Sequence, residues 1–166
     1  WLILPILVLV MTGVTFSAFK VGTILEWDSD VFLFGSKLTL ASLGDLQWHL
    51  FGIMLMLTMA GALATNNHVR VDFLRQHMSN RMKRWIDLVG HILFLLPLAG
   101  VVVWHGYDFS LRSFSMGEGS NYDGLYDRFV LKASIPIGFS LLALAGLGLA
   151  VVRLRELLRR DTSEFD

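Results

Sequence analysis

The sequence predicts an all-α integral membrane protein: four transmembrane helices plus short interfacial helices, with both termini in the cytoplasm. Three observations predict it. Of 166 residues, 54% are hydrophobic and only 17% charged, against roughly a quarter charged in soluble domains. The apolar residues fall in four windows, each close to the roughly 20 residues that cross about 30 Å of hydrocarbon. The charges gather between those windows and alternate in sign balance from one connection to the next. Formal net charge is zero, which argues against nucleic acid as a partner. There is no cysteine, so thiolate metal sites, disulfides and cysteine nucleophiles are excluded.

The first window covers 2–24, with Lys20 expected to snorkel to the interface. Its core, Leu2 to Phe19, is long for the apolar part of a leader peptide and lacks a clear small-x-small cleavage site, so a span is expected. The second window is 46–65, the third 88–107 and the fourth 133–152. Helices are expected because lipid offers no partner for open backbone groups. Pro97 and Pro136 interrupt the last two spans, which membrane helices tolerate. The whole chain, 1–166, reads as one membrane domain without internal repeats.

The connections differ in charge. The loop 66–87 carries Arg70, Arg75, Arg81, Lys83 and Arg84, and the polar tail 153–166 carries Arg153, Arg155, Arg159 and Arg160. Those two segments hold nine of the 14 basic residues. Four spans place them on one side, and short basic loops stay cytoplasmic. The first loop is acidic, with Glu26, Asp28, Asp30 and Asp45 against Lys37. Its apolar stretch Val31 to Leu43 reads equally as an interfacial or re-entrant helix and as a loop packed on span ends. In the middle loop, Phe73, Leu74, Met78, Met82 and Trp85 recur at roughly helical spacing, which predicts a short surface helix with arginines toward anionic headgroups.

No Asp, Glu, Lys or Arg occupies the middle of any window. Ion relays and charged-solute sites in membranes are normally built from such residues. The chain therefore reads as a subunit that supports transport by another polypeptide, and as no enzyme: nothing brings a nucleophile and base together. Histidine offers one rival. His91 and His105 lie fourteen residues apart on one helix face, about 21 Å in depth, which suits two stacked haems, with His49 and His68 as partners. The alternative function is thus a haem b-binding anchor of a respiratory enzyme; the plainer reading is interhelical hydrogen bonding, with no cofactor. Small residues four apart, Ser134 with Gly138, Gly146 with Ala150 and Ala60 with Ala64, predict close helix packing. The five tryptophans fall near span ends, as an interfacial belt would place them.

The stretch HVRVDFL, His68 to Leu74, follows a span ending GALATNN and precedes WIDLVGHILFLLPL, Trp85 to Leu98. Further along come LQWHLFG (Leu46 to Gly52), SFSMGEGSNYDGL (Ser113 to Leu125) and RFVLKASIPIGFSLLAL (Arg128 to Leu144). This succession resembles the DctQ-like small membrane subunit of tripartite ATP-independent periplasmic (TRAP) transporters. The contexts of Trp48, Glu118 and Pro136 are similar to the subgroup labelled for mannitol or chloroaromatic compounds, although Asn121 to Tyr126 departs from it. The resemblance implies a multi-pass protein of the bacterial inner membrane. It implies pairing with a large subunit that carries solute and ion, and delivery of solute by a periplasmic binding protein. The small subunit would enlarge the static scaffold of an ion-coupled symport system, and this chain would be a separate, unfused one. On that footing Trp48, His68, Arg70, Asp72, Arg84 and Trp85 are candidate contacts for the large subunit or membrane lipids. Glu118 and Ser120 are candidate contacts for the binding protein.

Overall fold

The computed structural model describes residues 1–65 and 77–161. The order is α1 (Ile3–Ala18), β1 (Thr23–Val31), β2 (Gly35–Thr39), α2 (Leu40–Ala64), α3 (Asn80–Val89), a π-helical turn (Gly90–Leu95), α4 (Leu96–Ser115) and α5 (Phe129–Asp161). Three described helical runs are long and apolar enough to cross a membrane: Leu40–Ala64, Asn80–Ser115 and Phe129–Arg159. Helix α1 is apolar but shorter, with 16 residues or about 24 Å.

The expectation of an all-α chain is corrected by the β-hairpin. The first helix ends at Ala18 rather than reaching residue 24, and its ending is chemical. Val21 N–H donates to Phe16 O at 3.1 Å and Lys20 N–H to Ser17 O at 3.0 Å, with Lys20 left-handed at φ 56°. That is a Schellman closure, in which crossing bonds satisfy the last carbonyls. Lys20 therefore sits in the closing turn, outside the helix. Inside α1, the hydroxyls of Thr12 and Thr15 bond Val8 O and Met11 O, each at 2.8 Å, so both hydroxyls are satisfied by their own helix.

The segment Val31 to Leu43, read as an interfacial helix or a packed loop, instead completes the hairpin and opens α2. Glu26 pairs across the ladder with Lys37, and Val31 with Gly35. The tip needs left-handed backbone at Leu33 (φ 71°) and Gly35 (φ 62°). A Cβ on Gly35 would strike the Tyr126 ring, 2.8 Å from Cδ2, so glycine is required there twice over. Trp27, placed by sequence in an interfacial belt, donates its indole N–H to Gly35 O at 2.6 Å within the hairpin.

Helix α2 starts six residues earlier than position 46, because Thr39 caps it. Ser42 N–H donates to Thr39 Oγ1 at 3.1 Å, and Thr39 N–H donates back to Ser42 Oγ at 3.4 Å. This is a capping box with serine in the reciprocal position. The N-terminal half of the expected surface helix, with Phe73 and Leu74, lies outside the described residues; from Asn80, capped by the Ser79 hydroxyl accepting from Met82 N–H, α3 runs on without a break into the apolar helix that ends at Ser115. Helix α5, which contains the fourth apolar window, likewise extends beyond 133–152 to Asp161, so most of the expected polar tail is helical.

The chain forms two compact units: Trp1–Met56 with His105–Pro136, and Leu57–Trp104 with Ile137–Asp166. In the first, the aromatic rings of Phe32, Phe114 and Phe129 meet in sequence, 5.0 Å apart for Phe114 and Phe129 and 6.4 Å for Phe32 and Phe129. Gly106 brings α4 against the Pro136 ring, where an added Cβ would lie 3.2 Å from Cδ. In the second, Leu88, Ala150 and Leu157 form a buried cluster, and Gly146 accepts the Leu95 side chain where a Cβ would stand. Of the small-residue pairs, Gly146 and Ala150 are both buried, as are Ser134 and Gly138, whereas Ala64 is exposed.

Candidate functional site

In the first unit a polar cluster is assembled by helix ends. Helix α4 closes with a second Schellman motif: Glu118 N–H donates to Ser113 O at 3.1 Å and Gly117 N–H to Phe114 O at 3.2 Å, with Gly117 at φ 57°. This turn swings Glu118 back over its own helix. Its carboxylate accepts from the Ser113 hydroxyl at 2.8 Å and forms an ion pair with Lys132. The Lys132 ammonium, and next the Ser113 hydroxyl, hold the Glu118 carboxyl below the usual carboxylate range. Lys132 also lies over the Phe109 ring, 4.0 Å from its centroid.

Asp45, in the second turn of α2, is the hub of the same cluster. Its Oδ2 accepts from Leu125 N–H at 3.2 Å and from Arg128 Nη2 at 3.5 Å. Arg128 Nη2 also donates to Ser120 Oγ at 3.3 Å, and Arg128 N–H to Glu118 O at 3.0 Å. Gly124 allows this approach, because a Cβ there would land on the Asp45 carboxylate. The hairpin is fastened to the same loop. Thr39 Oγ1 donates to Asp123 O at 2.6 Å, Tyr126 N–H to Leu33 O at 2.8 Å, and Lys37 pairs with Asp123 at 3.0 Å. The Asp123 carboxylate, as hydrogen-bond partner and as charge, raises the Lys37 ammonium above the usual lysine range.

Between these groups lies a cavity of about 270 Å³, lined by Asp45, Trp48, His49, Glu118, Arg128, Leu131 and Lys132. His49 is 6% exposed, and its Nδ1 lies 2.7 Å from Asp45 O. Its Nε2, and the Nε of Arg128, are buried without a hydrogen-bond partner among the described residues.

The second unit has its own ion network. Arg153 reaches Asp87 at 3.7 Å and Glu156 at 3.0 Å, and Arg84 reaches Glu156 at 3.6 Å. In that unit His91 Nδ1 bonds Asp87 O, the same use of a histidine that His49 makes in the other.

Of the residues singled out by sequence, Trp48 is 71% exposed beside the Phe51 ring, edge-on with centroids 6.4 Å apart. Trp85 is exposed next to exposed Met82 and Ile86. Arg84 is tied within its own unit to Glu156. Glu118 and Ser120 are brought together in the Asp45 cluster, with their side chains engaged by Lys132, Ser113 and Arg128. His68, Arg70 and Asp72 lie outside the described residues, as does the whole HVRVDFL stretch. Sequence reasoning missed Asp45, Arg128 and Lys132 as a set. The available signal was the four-residue spacing of Arg128 and Lys132 across the start of α5, ten and fourteen residues after Glu118.

The description "Tripartite ATP-independent periplasmic transporters, DctQ component" belongs to the family whose profile matches residues 31–157. No individually curated protein matches the chain. The matched stretch starts at the hairpin tip, contains both polar clusters and ends on α5, so the chain belongs to the DctQ family: it is the small subunit of a TRAP transporter, a multi-pass membrane protein and not an enzyme.

Proposed function

We propose that this subunit is a scaffold and membrane anchor in the bacterial inner membrane, paired with a large TRAP subunit that performs secondary-active, ion-coupled uptake of a small organic solute. A periplasmic binding protein delivers the solute. One observation carries the reading. The apolar stretches 46–64, 88–107 and 133–152 contain no Asp, Glu, Lys or Arg, so the chain offers no charged path of its own. The large apolar residues that it exposes, Leu4, Leu7, Met11, Phe94, Leu98 and Leu144 among them, suit lipid or a partner helix.

In this reading α1 is a fourth span, and both termini are cytoplasmic with the basic segments. The hairpin and the Asp45 cluster then belong to the periplasmic end. Trp48 with Phe51, and Trp85 with Met82, are the contacts for the large subunit or lipid. His68, Arg70 and Asp72 join them on the strength of the family resemblance, and Arg84 supports Trp85 through its bond to Glu156. Glu118 and Ser120 act toward the binding protein by holding the loop that exposes Met116 and Tyr122. The subgroup resemblance at Trp48, Glu118 and Pro136 is the one pointer to solute class. Co-purification tests the pairing: a tagged chain retains the large subunit through detergent extraction. Recovery of the tagged chain alone, from cells that produce both, removes the scaffold reading.

A further inference from the structure

The cavity beside Asp45 contains two buried polar atoms of opposite character. His49 Nδ1 lies 2.7 Å from Asp45 O. A carbonyl oxygen only accepts, so Nδ1 carries the proton, and in the neutral ring Nε2 is left as an acceptor. That Nε2 is buried and has no partner among the described residues. The Arg128 Nε–H is a donor, also buried and without a partner among the described residues, although the Nη2 of the same side chain serves Asp45 and Ser120. Both residues line the one cavity of about 270 Å³. Buried polar groups are almost always satisfied, by protein or by ordered solvent.

Charge decides what fills the space. Asp45 and Glu118 contribute two carboxylates to the lining, Arg128 and Lys132 two cations. These are already matched, Lys132 to Glu118 and Arg128 to Asp45. A free anion would meet both carboxylates, and a free cation would meet the guanidinium and the ammonium. The remaining demand is for a neutral group that donates to one nitrogen and accepts from the other. A hydroxyl does both; an ether, a ketone or an ammonium does only one. A cavity of this size holds several waters or one small alcohol, since water occupies about 30 Å³ in the liquid.

We propose that this cavity is a hydroxyl-binding site: it holds water, or the hydroxyls of a small neutral alcohol, which donate to His49 Nε2 and accept from Arg128 Nε–H.

Solid-state NMR of the full chain in lipid nanodiscs tests this. Carbonyl-¹³C tryptophan with ¹⁵N histidine selects the pairs Trp48–His49 and Trp104–His105, and H105Q at an exposed position removes the second. The expected result is a His49 ring protonated at Nδ1 and bare at Nε2, with Nε2 receiving magnetisation from mobile water. R128K keeps the charge but deletes the Nε–H, and most of that transfer should be lost. Glycerol is the probe for the second source. A saturable shift of Nε2 on adding glycerol identifies an alcohol as occupant, and water transfer unaffected by glycerol identifies water. A bare Nε2 reached by neither water nor glycerol, or a ring protonated at both nitrogens near neutral pH, overturns the proposal.

Discussion

Leu125 donates its backbone N–H to the Asp45 carboxylate at 3.2 Å, across 80 residues of sequence, and its side chain is completely buried. The bond fastens the loop between α4 and α5 to the start of α2. Leu125→Ala should cost about 2–5 kcal/mol, the range for emptying a buried leucine site. Gly124→Ala should cost about 1–3 kcal/mol by overpacking against Asp45, since the Ser120 Oγ, 2.5 Å from the added Cβ, leaves no room either. Thermal unfolding of the purified subunit in one detergent measures both. An unchanged melting temperature for Gly124→Ala would show that the loop does not press on Asp45.

The Glu118 carboxyl titrates below its ordinary value because Lys132 and Ser113 hold the charged form. Its unfolded value is therefore the higher one, and the native state favours ionisation. The contribution is fully present above the ordinary glutamate range and is lost as pH falls through the lowered native value. Stability of the native subunit should thus decline with acid over that window. Glu118→Gln should be less stable at neutral pH and flatter below it. Melting curves taken across that acid range check the slope; parallel profiles for the two proteins would mean that the ion pair is absent.

The Arg153 network of the second unit predicts unequal losses. Arg84 reaches Glu156 at 3.6 Å, where the glutamate side chain is 41% exposed, so Arg84→Ala should change stability by no more than about 1 kcal/mol. Arg153 serves Glu156 and also Asp87, whose side chain is only 9% exposed. Arg153→Ala should therefore cost more than Arg84→Ala, because a carboxylate held largely away from water loses a charged neighbour. Urea or thermal unfolding ranks the two, and equal effects would contradict the network.

The helices were legible in the sequence because long apolar runs leave the backbone one solution in lipid. Their ends were not. Hydropathy stops at the last apolar residue, whereas α2 and α5 run on through Leu40 to Asp45 and through Arg153 to Asp161 under capping and ion pairing that a hydropathy window does not weigh. The hairpin was hidden because its exposed acids, Glu26, Asp28 and Asp30, alternate at period two while apolar residues scatter among them. Bulges between Glu26 and Val31 also spoil any simple pattern. The polar cluster was hidden for a different reason. Asp45 meets Leu125 and Arg128 only through tertiary folding, with glycine at 124 as its single local mark. Glu118 and Ser120 were legible as polar loop residues, and their inward engagement was not.

Trp48 is the sharpest test of the docking surface. It is 71% exposed, so Trp48→Ala should leave the subunit's own melting temperature nearly unchanged while weakening retention of the large subunit. A loss of thermal stability with full retention would place the indole in the fold rather than at an interface.

The central claim is that solute crosses the membrane through the partner and not through this chain. Uptake by proteoliposomes measures it directly, with the small subunit alone, and with the small and large subunits together plus the binding protein and an ion gradient. The small subunit alone should give no solute flux, and the complete system should give gradient-driven uptake. Solute flux through vesicles containing only this chain would contradict it.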